Sequence, residues 1–382
     1  MSQERIYWLA WSKVNGVGSI LVDRLYQQFG SLEVAWHADD DKILQIEGVG
    51  ALSGAKILAA RAQIDPLKLL AEQAISNPNW WARSDADYPR LLAEIPSAPG
   101  VLYYRGQVDT IQQAGDLTIG IVGTRYPSEY GICWARKISQ CLAKNGFTIV
   151  SGMALGIDTE AHSACLDAGG RTIAVVGTGV DVVYPPSNHQ LAADIQQHGL
   201  IVSEYPARTQ PNRPHFPARN RIIAGLSRVT IVIEAPVKSG ALITAYQAND
   251  FNRDVYVLPG AIDNPNAIGC LGLLSRGAQP ILSLKHLLEL LSSIPQLDSQ
   301  QLQLPLMPQI DRTPAKRQVE APSAVILAPD LHQIWLLVSD DPIDFDDLVS
   351  KSQLPVATVS SRLLQLELLG SIVQLPGMRY RR

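Results

Sequence analysis

Leu117-Thr118-Ile119-Gly120-Ile121-Val122-Gly123-Thr124-Arg125 is a strand-like run followed by a glycine turn that carries an arginine. The run is rich in apolar and β-branched residues. It predicts a strand covered on both faces. A helical stretch to about Asn145 follows, and then the pattern recurs. Phe147-Thr148-Ile149-Val150, Thr172-Ile173-Ala174-Val175-Val176, Leu200-Ile201-Val202, Val229-Thr230-Ile231-Val232-Ile233 and Val255-Tyr256-Val257-Leu258 continue the series at helix-length intervals. Such a series predicts an α/β fold, a doubly wound Rossmann-like parallel sheet. With the residues leading into it, this central domain is placed at 63–292.

Two smaller domains are expected to flank the sheet. Residues 1–62 hold a spaced duplication: Val14-Asn15-Gly16-Val17-Gly18 precedes Leu21, Leu25 and Phe29, and Ile46-Glu47-Gly48-Val49-Gly50 precedes Ala55, Leu58 and Ala59. Each copy reads as helix, Gly-x-Gly hairpin, helix, since glycine permits the positive φ of such a hairpin. The arrangement resembles the helix-hairpin-helix pair of DNA-binding proteins, whose hairpin amides can meet a phosphate at a helix N-terminus. A helical packing domain whose hairpins touch only protein fits equally well. Residues 293–330 contain six prolines and six glutamines and read as a linker. Residues 331–382 show three helical stretches, the third ending at Gly370, and a short hairpin around Pro376-Gly377. That is the pattern of a winged helix, and its recognition stretch carries one basic residue, Arg362, against Glu367.

Composition narrows the function classes. Of 382 residues, 46% are hydrophobic and 18% charged, enough apolar material for a large core. A net charge of −4 confines any nucleic-acid site to a local patch. The four cysteines show no zinc spacing, which suits reduced thiols. No signal-peptide pattern or membrane-length apolar run is read, so a soluble, cytoplasmic protein is expected.

In a doubly wound sheet, ligands bind outside the carboxyl ends of the strands. Gly123-Thr124-Arg125, Ser151-Gly152 with Gly156, Gly177-Thr178-Gly179 and Ser239-Gly240 all fall there. Glycine lets backbone amides approach an anion, and Arg125 offers a fork for phosphate. From Tyr205 to Ile233 there is no acidic residue, while Arg208, Arg213, Arg219, Arg221 and Arg228 are present with Phe216 among them. Basic residues interleaved with aromatics suit single strands. Catalytic signals are poor. Asp158 and His162 are spaced i, i+4 without a third ligand, so no metal is expected, and there is no Walker lysine loop. Glu204 and Glu234 end two strands and could act as acid and base, or could hold Arg219 or Arg221 in place.

Several longer motifs resemble the DprA/Smf DNA-processing family. They are Gly-Ile-Val-Gly-Thr-Arg (120–125), Ser-Gly-Met-Ala-Leu-Gly-Ile-Asp-Thr-Glu-Ala-His (151–162) and Gly-Thr-Gly-Val-Asp-Val-Val-Tyr-Pro (177–185). Phe-Pro-Ala-Arg-Asn-Arg-Ile-Ile-Ala-Gly-Leu-Ser (216–227), Glu-Ala-Pro-Val-Lys-Ser-Gly-Ala-Leu-Ile-Thr-Ala (234–245) and Val-Leu-Pro-Gly (257–260) continue the match in order. The resemblance implies a dimeric protein without catalytic residues, metal or cofactor. It would bind single-stranded DNA, protect transforming strands, load the RecA recombinase and displace single-strand-binding protein. By motif match, Gly123, Arg125, Ser151, Gly152, Gly156, Arg219 and Asn220 would line the DNA site; Thr124 and Arg221 complete the candidate set. Some relatives carry lysine shortly after the Tyr-Pro of the third motif, and here His189 is the substitute considered. Leu271 stands where many have asparagine. The competing expectation is a nucleotide-binding enzyme, such as a nucleoside-monophosphate phosphoribohydrolase, with Glu204 or Glu234 catalytic.

Overall fold

In the computed structural model the described residues are 3–115, 117–292, 294, 329–339, 341, 343–368, 371–375 and 379–381. Almost all of the expected linker, Gly370 and Pro376-Gly377 lie outside them. Two compact units divide the chain, residues 1–303 and 304–382.

The first unit is built on nine strands: β1 (Trp80–Ala82), β2 (Val101–Gly106), β3 (Thr118–Val122), β4 (Thr148–Ser151), β5 (Thr172–Val175), β6 (Leu200–Ser203), β7 (Val229–Val232), β8 (Asp254–Val257) and β9 (Gln279–Pro280). Their order is β1-β2-β6-β5-β4-β3-β7-β8-β9. From β6 to β9 along that order all neighbours run parallel, and β2 and β1 extend the β6 edge antiparallel. The six predicted strands form the parallel body; β9 and the antiparallel pair are additions. One face, with Ile119, Ile121, Ile149 and Ile231, packs on Ile138 and Leu142 of the helix Glu129–Lys144 and on Ala161 of Ile157–Asp167. The other, with Val122, Val150, Ile173 and Val232, packs on Ile222 and Ile223 of His215–Leu226 and on Ala245 of Gly240–Asp250. Double coverage explains the uninterrupted apolar runs, since each fully buried Ile or Leu contributes about 1.5–3 kcal/mol. Strand order reverses at β3, with β4 to β6 on one side and β7 to β9 on the other. A crevice opens at such a point, at the carboxyl ends of β3 and β7.

Both N-terminal hairpins form. Gly16 (φ +88°) and Gly48 (φ +92°) take the left-handed conformation, and the helices Ser19–Phe29 and Ala51–Ala62 start after Gly18 and Gly50. The cations beside them face protein. Lys13 Nζ donates to the Tyr103 hydroxyl (3.1 Å), and Arg24 Nη1 donates to the Glu47 carbonyl (2.5 Å) in the second hairpin. This favours the packing role over phosphate contact. The segment is not set apart at residue 62. Pro66–Ser76 continues it through Leu69 and Leu70, and one core joins Trp8, Trp11, Leu25 and Ile57 to Val176 and Ile201 of the sheet region.

The second unit has helices Pro329–Leu337, Phe345–Ser352 and Val356–Leu368 with strands β10 (Ile343–Asp344), β11 (Val373–Leu375) and β12 (Arg379–Arg381). They enclose Ile334, Val338, Leu348, Leu363, Leu366 and Tyr380. The expected two-stranded wing is joined by β10, which pairs with β12. This is a winged helix, and its first described helix is Pro329–Leu337.

Candidate nucleic-acid interface

A cleft of about 640 Å³ lies at the carboxyl ends of the central strands. Val122, Gly123, Thr124 and Arg125 line it from β3, Lys238, Ser239 and Gly240 from the loop after β7, and Arg213, Phe216, Arg219 and Asn220 from the segment before and within the helix His215–Leu226. Tyr184 closes another side. Four cationic side chains (Arg125, Arg213, Arg219, Lys238) and one carboxylate (Asp158) line the wall. The helix Gly240–Asp250 also starts there, capped by Ser239 Oγ, which accepts from the Ala241 amide (3.2 Å). Helix N-termini and backbone amides favour an anion, and the exposed cations add full charges.

The predicted residues divide into lining, supporting and uninvolved groups. Arg125 is exposed, with its guanidinium 5.7 Å from the centre of the Phe216 ring. Thr124 is buried, its amide donates to the Glu234 carbonyl (2.7 Å), and its Oγ1 accepts from the Tyr126 amide (3.2 Å). These bonds pin the loop that carries Arg125. Asn220 Nδ2 donates to the Gly240 carbonyl (3.1 Å), tying two walls together. Gly156 (φ +79°) does not line the cleft but supports it. A Cβ there would fall 2.5 Å from the Thr124 carbonyl oxygen, so only glycine lets the two loops meet. Gly152 likewise leaves no room for a Cβ, which would meet Asp158 and the Arg219 guanidinium. It lines a niche of about 40 Å³ shared with Arg125, Tyr184 and Phe216.

Arg219 reaches the cleft but is not free to turn toward a ligand. It is 4% exposed, and its Nη1 donates to the Gly152 carbonyl (2.7 Å) and to the Val175 carbonyl. Ser151 is wholly buried, with Oγ donating to the Ile121 carbonyl (2.6 Å), so it cross-links β4 to β3. Arg221 pairs with Glu204 (2.6 Å). Residues two apart on a helix do not share a face, which separates Arg221 from Arg219. His189 is exposed at the start of the helix His189–His198 and is not among the lining residues. Glu234 accepts from the Ser128 amide (2.9 Å). Neither Glu204 nor Glu234 lines the cleft. The clustering of arginines along 205–233 therefore overstates the patch: of the five, only Arg213, just before the helix, and Arg219, on it, line the cleft.

Beneath the cleft lies a buried polar network. Asp158 accepts from the amides of Gly152 (3.1 Å) and Ala154 (3.3 Å). Burial pushes its pKa up, and Arg219 opposes this. Burial lowers the Arg219 guanidinium to about 10, against the pull of Asp158, so it stays charged at neutral pH. His162, with Nδ1 2.6 Å from Thr172 Oγ1, is pushed down to about 3 by burial and then by Arg219. It is a neutral structural residue. Among the described residues no group of three His, Cys, Asp or Glu side chains could hold a metal ion, and no helix is long and apolar enough to cross a membrane.

Lys238 and Tyr184 are among the lining residues that do not stand out as candidates in the sequence. Lys238 is exposed in the loop after β7, and its place at a strand's carboxyl end beside Ser239-Gly240 is the available signal. Tyr184 lies outside the acid-free stretch. Tyr205, which the sequence suggests as an aromatic neighbour, is instead stacked on His215 (centroids 3.9 Å, interplanar 17°) and does not line the cleft.

Comparison with known proteins places these features. Residues 79–292 match the family model described as DNA recombination-mediator protein A, and residues 318–378 match the DprA winged helix domain. The chain is 49% identical to Protein Smf of Synechocystis over 395 residues, covering 100% of this chain and 99% of that protein. It is 46% identical to the DNA processing protein DprA of Streptococcus pneumoniae over 52% of this chain and 69% of that one. Among solved structures, S. pneumoniae DprA superposes with a TM-score of 0.66 at 37% identity, covering 76% of this chain and 98% of that chain. The Helicobacter pylori DNA processing protein A, whose structure describes a single-stranded DNA binding mode, superposes with a TM-score of 0.51 at 32% identity, covering 56% and 95%. With both domains matched in order and a full-length relative at this identity, the chain belongs to the DNA recombination-mediator protein A (DprA/Smf) family.

Proposed function

We propose that the cleft binds single-stranded DNA without cutting it, and that the protein protects incoming strands and passes them to the RecA recombinase. The observation that carries this reading is the pairing of exposed cations, Arg125, Arg213 and Lys238, with the partly uncovered rings of Phe216 and Tyr184 in one cleft. Cations neutralise phosphates along a strand, whereas open rings require unstacked bases, which a duplex does not offer. The H. pylori relative described as binding single-stranded DNA supports the same reading. The two carboxylates considered as catalytic are engaged elsewhere, Glu204 with Arg221 and Glu234 with Ser128. The protein acts as a homodimer, displacing single-strand-binding protein as RecA is loaded. A gel-shift series with matched single- and double-stranded oligonucleotides, labelled and incubated in magnesium, tests it. Preferential retention of intact single strand is expected. Preference for duplex or degradation of the label overturns the reading, and release of base from nucleoside monophosphates would move it to the enzyme alternative.

A further inference from the structure

Tyr184 follows β5 in a loop that the fold holds in several places. Thr178 Oγ1 donates to the Val182 carbonyl (2.7 Å), and Asp181 accepts from the Arg208 amide (2.8 Å). Buried Asn188 donates from Nδ2 to the Met153 carbonyl (3.0 Å) and to Thr159 Oγ1 (2.9 Å), tying the loop to the segment after β4. Despite this anchoring, Tyr184 is 39% exposed as a residue, and it lines both the cleft and its niche. Its hydroxyl makes no hydrogen bond among the described residues. The ring lies 5.5 Å from Phe216, tilted by 35°, and the Arg125 guanidinium lies over Phe216 at 5.7 Å. One wall thus runs cation, ring, ring, all at the mouth of the same cleft.

A tyrosine that served only packing would be covered, and one that served a hydrogen bond would be tethered at its hydroxyl. Tyr184 has neither feature. Tyr205 shows the contrast, being closed against His215. We propose that Tyr184 is a base-stacking residue, its exposed ring receiving a nucleobase of the strand whose phosphates meet Arg125. The inference rests on the single-strand reading of the cleft and adds to it a source of affinity that is independent of charge. Stacking is sequence-tolerant because every base presents a π-face. A platform fixed before binding also loses little freedom when it is occupied.

The test uses the full chain and two oligonucleotides with the same backbone, one of deoxythymidines and one of abasic residues, in a fluorescence anisotropy titration. Wild type is expected to bind the deoxythymidine strand more tightly than the abasic one. Tyr184→Ala is expected to lose roughly five- to a hundredfold on the deoxythymidine strand, the scale of one stacked base. On the abasic strand it should lose little, which also shows that the variant is folded. Tyr184→Phe should recover most of the loss, since the ring and not the hydroxyl carries the interaction. An equal loss on both strands, or no loss on either, overturns the stacking role while leaving the strand reading in place. Failure of the wild type to bind either strand overturns both.

Discussion

Replacing Arg125 and Arg219 by alanine, one at a time, is expected to separate recognition from folding, although both arginines reach the same cleft. Arg125 is exposed, and its guanidinium lies over the Phe216 ring at 5.7 Å. A phosphate held by a charge-assisted bond contributes ~1.5–3 kcal/mol, so Arg125→Ala should weaken strand binding by roughly ten- to a hundredfold. The slope of log affinity against log salt should flatten by ~0.7, because one phosphate fewer is neutralised by the protein. Stability should stay within about 0.5 kcal/mol, as for other surface changes. Arg219 is 4% exposed, bonded to two carbonyls and set against buried Asp158. Removing it leaves a buried carboxylate without its countercharge and two acceptors unfilled, a change that costs about 3–5 kcal/mol. Urea denaturation of wild type and both variants, run beside salt titrations on one oligonucleotide, reads both quantities. An Arg125→Ala protein with wild-type affinity and slope would remove the cleft from the binding site. An Arg219→Ala protein as stable as wild type would refute the buried network.

Three further outcomes are expected. Gly156→Ala places a Cβ 2.5 Å from the Thr124 carbonyl at a φ of +79°, so it should destabilise by about 1–3 kcal/mol and weaken strand binding by displacing Arg125; unchanged denaturation and affinity would contradict this. His162 has a folded pKa near 3 and an unfolded one near the ordinary ~6.5. Between those values the unfolded chain binds the extra proton, so this group's stability is present above ~6.5 and is lost as pH falls, by up to about 1.4 kcal/mol per pH unit. Asp158, shifted upward, acts in the opposite sense at acid pH. Comparing urea midpoints of wild type and His162→Asn from pH 7 to 4 isolates the histidine, and parallel profiles would exclude it. Finally, residues 1–292 without the winged helix should keep strand affinity within tenfold, because the cleft lies wholly in the first compact unit; a larger loss in the same anisotropy assay would mean that the tail contributes to binding.

The architecture was legible in the sequence because its signals are local. Strands buried on both faces must be continuous in Ile and Val, so Thr118–Val122 and its successors announce themselves, and Gly16 and Gly48 mark turns that need a positive φ. Glycine loops at strand ends also pointed to the edge of the sheet where the cleft opens, since parallel topology places those strand ends on one side. Which side chains serve that edge was decided only by the tertiary structure. Arg219 and Arg221 look equivalent in the sequence, yet the helix turns one toward Gly152 and the other toward Glu204. Ser151 belongs to a motif but is used to cross-link two strands. Tyr184 and Lys238 enter from distant loops that share no local pattern with the arginine-rich stretch. Burial and pairing are properties of packing between segments far apart in the chain. For that reason the residue types and turns could be read along the sequence, but the division between residues that can meet a ligand and residues that hold the fold could not.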